Sequence, residues 1–170
     1  GAGRFAEIAV AEISRNDRNP RYRAVTPEQV AELRDTARSR TGDPETGDTA
    51  AFFDTVSTVI DKMDLEDTEQ LSAEEIRVRL HGVAGLARSI AKVNLIQPIT
   101  VYPLDSGYEV LAGQRRYLAH VLLGRREIRA IVREPSGDAL DDRVAAVIEN
   151  LAREDLTLRE RVEAIEEIVN

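Results

Sequence analysis

YEVLAGQRRYLAHVLLG, residues 108–124, is an extended apolar run that turns at a glycine and passes directly into a helical pattern. Tyr108, Val110 and Leu111 predict a strand, Gly113 predicts the break, and Tyr117, Val121 and Leu122 recur at helix spacing. A strand, tight turn and helix start in this order place the first N–H groups of the helix, which have no partner within it, beside a residue without a Cβ. Arg115 and Arg116 add two cations to the first helical turn, where the macrodipole disfavours them. An anion would reverse that balance, because backbone donors and guanidinium forks both suit phosphate oxygens. The alternative is a solvated face on which both arginines make surface ion pairs, and a lone Gly-x-Arg-Arg does not decide between the two.

The segments on either side extend the strand. In NLIQPITVYP, residues 94–103, the run around Pro98 enters a strand with Ile99 and Val101 on one side and Thr100 and Tyr102 on the other. Asp105-Ser106-Gly107 closes a hairpin onto Tyr108–Leu111. A further strand is expected over 128–132, ahead of a loop at Pro135-Ser136-Gly137, and a short one lies in the EIAV stretch near the start. Helices are expected over about 139–153 and 158–170, with Val144, Val147, Ile148 and Leu151, then Val162, Ile165, Ile168 and Val169, as their apolar stripes.

The middle of the chain is helical in pattern. Thr26-Pro27-Glu28-Gln29 is a capping-box start for a helix to about Arg40. TGDPETGD, residues 41–48, has turn chemistry. A helix over 49–63 carries Phe52, Phe53, Val56, Val59 and Ile60, and another starts at Ser72 with Glu75 three residues on and continues past Leu80. Leu86–Val93 adds a further amphipathic turn or two. The phenylalanines are expected to be packing residues.

Composition narrows the function classes. The chain has 170 residues, a formal net charge of −8 and no cysteine, enough length for a real core without disulfide or metal staples. Thiol catalysis and Cys-based zinc sites are excluded. The acidic balance opposes binding of DNA or acidic membrane by bulk electrostatics, so a polyanion must be held locally. No signal peptide or membrane-length apolar run is present, and a cytoplasmic setting is expected. His81 and His120 are expected to be surface or core-edge residues. Gly1-Ala2-Gly3 is set aside as foreign to the fold.

A second constellation is ENLAREDL, residues 149–156. Glu149 and Arg153, four apart, make an ordinary helix ion pair worth about 0.3–0.5 kcal/mol. Glu149 beside Asn150 is also the pair of hard oxygen ligands that suits a Mg²⁺ whose other ligands are water and a triphosphate.

The order of these segments is more specific than any of them alone. NPR at 19–21, LARSI at 86–90, LIQPITV at 95–101, GYEVLAGQRRYLA at 107–119, IRAIV at 128–132 and ENLAREDL at 149–156 together resemble the N-terminal domain of the ParB family, within the ParB/sulfiredoxin superfamily. The resemblance covers 5–24 and 86–170. It implies an α+β fold, a small mixed β-sheet with surrounding helices, in one domain over 4–170 with a helical insertion over about 26–84.

It further implies CTP binding with Mg²⁺. The turn that holds the triphosphate maps to Gly113, Gln114, Arg115 and Arg116, and the phosphate and Mg²⁺ pair to Glu149 and Asn150, near Arg153. The cytosine pocket maps to Leu95, Ile96, Gln97, Pro98, Ile99 and Thr100 with Ala130 to Arg133, including Val132, where backbone groups read the base. Gln114 stands where the family has a glutamate. A glutamine still donates and accepts hydrogen bonds but cannot serve as a general base, so binding is expected to survive and hydrolysis to be weak or absent.

Two classes of function follow. One is a nucleotide-dependent switch that closes and forms a homodimer, controlling a ParA-like ATPase, a cytoskeletal partner or DNA in chromosome or plasmid segregation, with DNA contacted only through segments outside this chain; a PadC-type adaptor is one form. The other is a phosphoryl-transfer enzyme, a CTPase or serine-kinase-like protein, using the same pocket. A sulfiredoxin reaction is excluded by the missing cysteine.

Overall fold

A computed structural model describes residues 3–14, 24–94 and 97–134. Its sheet is built from β1 (Arg4–Ala9), β2 (Ile13–Ser14), β3 (Ile99–Pro103), β4 (Tyr108–Ala112) and β5 (Glu127–Val132), and its helices are α1 (Pro27–Thr41), α2 (Thr49–Lys62), α3 (Ala73–Val93) and α4 (Gln114–Leu123). The expected α+β class is the observed one. The helices expected over 139–153 and 158–170 lie outside the described residues.

The five strands run in the order β1-β5-β3-β4-β2. The hairpin expected between β3 and β4 is present, with Tyr102 opposite Glu109 and Pro103 opposite Tyr108. The other pairings join distant segments. β5 lies antiparallel to β1 and parallel to β3, and β2 lies parallel to β4. Along β5, Ile128, Ala130 and Val132 are buried while Glu127 and Arg129 are exposed, so the sheet presents one apolar face to the helices.

Each helix begins for a local reason. Thr26 and Gln29 exchange hydrogen bonds, Thr26 N–H to Gln29 Oε1 at 2.9 Å and Gln29 N–H to Thr26 Oγ1 at 3.1 Å, which completes the expected capping box at α1. Asp48 caps α2 through Ala51 N–H at 3.0 Å, and Ser72 caps α3 through Glu75 N–H at 3.1 Å. In the turn before α2, Asp43 accepts from Glu45 and Thr46 N–H, and those two donors hold its carboxyl below the usual carboxylate range.

α3 is one continuous helix of 21 residues, where the sequence pattern suggested two pieces. Gly82 and Gly85 dilute the helical signal, but Leu80, Val83, Ala84, Ala87 and Ile90 bury a continuous stripe across them. Asn94 ends the helix in the left-handed region at φ 59°. Arg77 ties α3 to α2 by donating to the carbonyls of Ile60 and, at 3.1 Å, Met63 at the end of that helix.

All of these elements share one core. Ile8 and Ile13 from the sheet edges, Val30, Leu33 and Ala37 from α1, Phe52, Phe53, Val56 and Ile60 from α2 and the α3 stripe close around α4 and the strands. α4 is the centre of the packing, in contact with α1 and α3. Every residue from Tyr117 to Leu123 is buried. A helix apolar on all sides in this way is a core helix rather than a surface one.

Candidate functional site

Gly113 links β4 to α4 at φ 97°, in the region open to glycine. A Cβ there would stand 2.7 Å from Ile99 Cγ2 and 3.2 Å from Ile99 Cα. The turn therefore lies directly on β3, and the start of α4 meets the Pro98–Ile99 entry to that strand. Tyr117 N–H to Gly113 O, 3.0 Å, closes the first turn, and no side chain caps the helix. The N–H groups of Gln114, Arg115 and Arg116 occupy the first-turn positions that a helix leaves unpaired within itself.

Gln114 is 2% exposed, and neither Oε1 nor Nε2 has a hydrogen-bond partner among the described residues. Burying an amide without partners costs roughly 1–3 kcal/mol per polar group.

Arg115 and Arg116 are half-buried, which removes the reading of a solvated face. Arg116 Nη1 donates to Pro98 O at 2.7 Å, so the guanidinium joins the helix start to the β3 entry. Arg115 Nη2 lies 3.5 Å from Gly82 O on α3. The turn residues and the Pro98–Thr100 segment are thus brought together as the sequence suggested.

The other expected wall adjoins them. Ile99 pairs with Ala130, Thr100 with Ile131 and Val101 with Val132, and Arg133 N–H donates to Val101 O at 2.9 Å. Ile99, Ala130 and Val132 are fully buried core side chains. Their side chains are therefore packing groups, whereas Pro98, Thr100 and Arg133 are half-buried and Gln97 is exposed. Leu95, Ile96, Glu149, Asn150 and Arg153 lie outside the described residues.

His120 differs from expectation. It is 1% exposed, not a surface or core-edge residue, and its Nδ1–H donates to Arg116 O at 2.7 Å. Burial, helped by the Arg125 charge, pushes its pKa below the ordinary histidine value against the opposing pull of that hydrogen bond. The signal available in the sequence was its place inside YLAHVLL, an apolar run with no polar face. A cavity of about 190 Å³ opens beside it at the far end of α4, bordered by Arg125 and Glu127 among others. Tyr117, also buried, donates from its hydroxyl to Ile13 O at 3.3 Å, and burial with the nearby Glu28 charge raises its pKa to about 12.

α3 is the element that sequence reasoning missed at the site, because nothing in its pattern separated Gly82 from an ordinary helix position.

The start of α4 thus sets a positive-φ glycine, two arginines and a buried amide with no partner among the described residues beside the entry to β3, an inner strand of the sheet of an α+β domain. The ParB N-terminal domain family matches residues 53–151, more than half of the sequence, and the chain belongs to that family. It is similar to the chromosome-partitioning protein Spo0J of Thermus thermophilus, 45% identical over 75 residues that cover 42% of this chain and 26% of that protein. It is also similar to the probable chromosome 2-partitioning protein ParB of Deinococcus radiodurans, 32% identical over 121 residues covering 66% of this chain and 41% of the relative. The chain thus spans well under half the length of these relatives. Among solved structures, the C-terminally truncated ParB of Caulobacter crescentus complexed with CTP-γ-S aligns over 99% of this chain and 64% of that one, at 20% identity and a TM-score of 0.42.

Proposed function

We propose that this domain is a CTP- and Mg²⁺-binding switch of a ParB-like protein, in which nucleotide state governs closure and homodimer formation and so the choice of a ParA-like, cytoskeletal or DNA partner during chromosome or plasmid segregation. The observation that carries the reading is Gln114, a buried amide with two unpaired polar atoms at the uncapped start of α4. Family membership and the partitioning names of the relatives support the setting.

In this reading Gly113 lets the backbone approach the phosphates, the first-turn N–H groups donate to their oxygens, and Arg115 and Arg116 balance their charge. Gln114 Nε2 donates to a phosphate oxygen while Oε1 takes a donor. Backbone groups of Gln97, Pro98, Ile99 and Thr100, with Ala130, Val132 and Arg133, form the base pocket together with Ile96. Glu149 and Asn150 would hold Mg²⁺, which when bound would offset the triphosphate charge, and Arg153, three residues further on in sequence than Asn150, would add a cation for the phosphates. Because an amide cannot take a proton as a carboxylate does, the reading favours binding with little turnover over a phosphoryl-transfer enzyme.

The domain is proposed to run over 4–170, with about 26–84 inserted as a helical partner surface in a cytoplasmic protein. No helix among the described residues is long and apolar enough to cross a membrane.

The test is calorimetric titration with CTP, ATP, GTP and UTP, each with Mg²⁺, using Arg115→Ala as control. The expected result is selective CTP binding that weakens about tenfold or more in the variant, the scale of one charge-assisted hydrogen bond. Binding of ATP with CTP silent would move the reading to the kinase-like class, and no binding of any nucleotide would refute it.

A further inference from the structure

Two glycines sit inside α3, at 82 and 85, where each weakens the helix relative to alanine. Their surroundings differ. A Cβ built on Gly85 meets nothing within 4 Å, whereas one on Gly82 would lie 3.3 Å from Arg115 Nη2 and 4.0 Å from its Cζ. The carbonyl of Gly82 is also the one that Arg115 Nη2 approaches at 3.5 Å. At that distance the hydrogen bond is long, and the steric relation is the stronger observation. The guanidinium lies over a stretch of helix backbone that is exposed to it because residue 82 has no side chain.

We propose that Gly82 is a positioning residue for Arg115, leaving the seat on α3 in which the guanidinium rests beside the start of α4. The proposal rests on the phosphate-binding role given to Arg115 above, but the seat itself does not depend on any ligand. A methyl group at 82 meets the far end of a flexible side chain, not backbone. The arginine therefore yields while the helix holds, and the substitution separates ligand binding from stability. α3 thereby becomes part of the site, contributing through its backbone.

The experiment compares Gly82→Ala with Gly85→Ala, alone and combined with Arg115→Ala. Both glycine variants are expected to melt higher than the parent, as alanine favours the helix. Gly82→Ala is expected to bind CTP with Mg²⁺ about three- to tenfold more weakly while Gly85→Ala binds as the parent does, and the loss at 82 should vanish in the Arg115→Ala background. Unchanged affinity in Gly82→Ala, or an equal loss with Arg115 already removed, would overturn the proposal. The Arg115 Nε–H resonance of the ligand-free protein separates this inference from the functional reading: it should move in Gly82→Ala and stay in place in Gly85→Ala. If the parent binds no nucleotide but that shift is seen, the switch reading fails and the seat stands; if the resonance is unmoved, the seat fails.

Discussion

The two ends of α4 are built in opposite ways. At the C-terminus Gly124, at φ 72°, donates to Val121 O at 3.0 Å, Arg125 N–H reaches His120 O at 3.1 Å, and Arg34 Nη1 adds a bond to Val121 O at 3.1 Å. The carbonyls of His120 and Val121 have partners, and cations stand where the macrodipole favours them. Arg125 is itself held by Glu45, at 2.6 and 3.2 Å. The N-terminus has no side-chain cap, cations at its positive pole and a buried amide without partners among the described residues. One end of the helix is tied to the fold through its backbone, and the other is the end to which we assign the ligand, carried on a rigid core helix.

The comparison can be broken first at its glycines. Gly113→Ala must force a left-handed residue against Ile99, including its backbone Cα, and is expected to destabilise by about 2–4 kcal/mol, the sum of the positive-φ penalty and overpacking. Gly124→Ala meets only Arg34 and Arg38 side chains, which can move, and is expected to cost about 1–2 kcal/mol from φ alone. Chemical denaturation measures both; an equal loss at the two positions would show that the start of α4 is no more tightly seated on β3 than its end.

A satisfied cap elsewhere gives the scale for an intended one. Thr26→Ala breaks the capping box of α1 and is expected to cost about 1 kcal/mol in the same assay. No loss there would imply that caps contribute little in this fold, and would remove the contrast with the uncapped α4.

The smallest effect comes from the buried end of α4. His120 has a folded pKa below its unfolded value, so between those values the unfolded chain binds more protons and stability rises with pH. The contribution is complete above about pH 6.5, the unfolded value, and is lost as pH falls below it. Melting of the parent should drop between pH 7.5 and 5.5, and His120→Gln should flatten that slope. A slope unchanged in the variant would assign the titration to other groups.

These contrasts also show what the sequence could convey. The Thr26 capping box, the Ser72 cap, the β3–β4 hairpin and the break at Gly113 are local, written in residues a few positions apart, and were readable as such. The grouping of Gly113, Arg115, Arg116 and Pro98 was implied by the family resemblance and not by local pattern; in the structure the β3–β4 hairpin carries Pro98 to the helix start, where Arg116 donates to its carbonyl. The pairing of β1 with β5 and of β2 with β4 joins segments about a hundred residues apart, for which periodicity has no term. The continuity of α3 was masked by Gly82 and Gly85, whose local propensity loses to tertiary packing. The burial of His120 follows from α1 and α3 closing over α4, a relation that the apolar window YLAHVLL hints at without naming the elements that cover it.

The central claim is that the N-terminus of α4 sacrifices stability for a ligand, and Gln114→Met, close to isosteric and without the amide, tests it directly in one thermal melt run with and without CTP and Mg²⁺. Removing two unpaired polar groups should raise the melting temperature of the ligand-free protein, by the equivalent of roughly 1–3 kcal/mol for each, and should shrink the stabilisation by CTP relative to the parent. A variant that melts lower alone and keeps the full CTP shift would show that Gln114 is satisfied by the fold and that the account of this site is wrong.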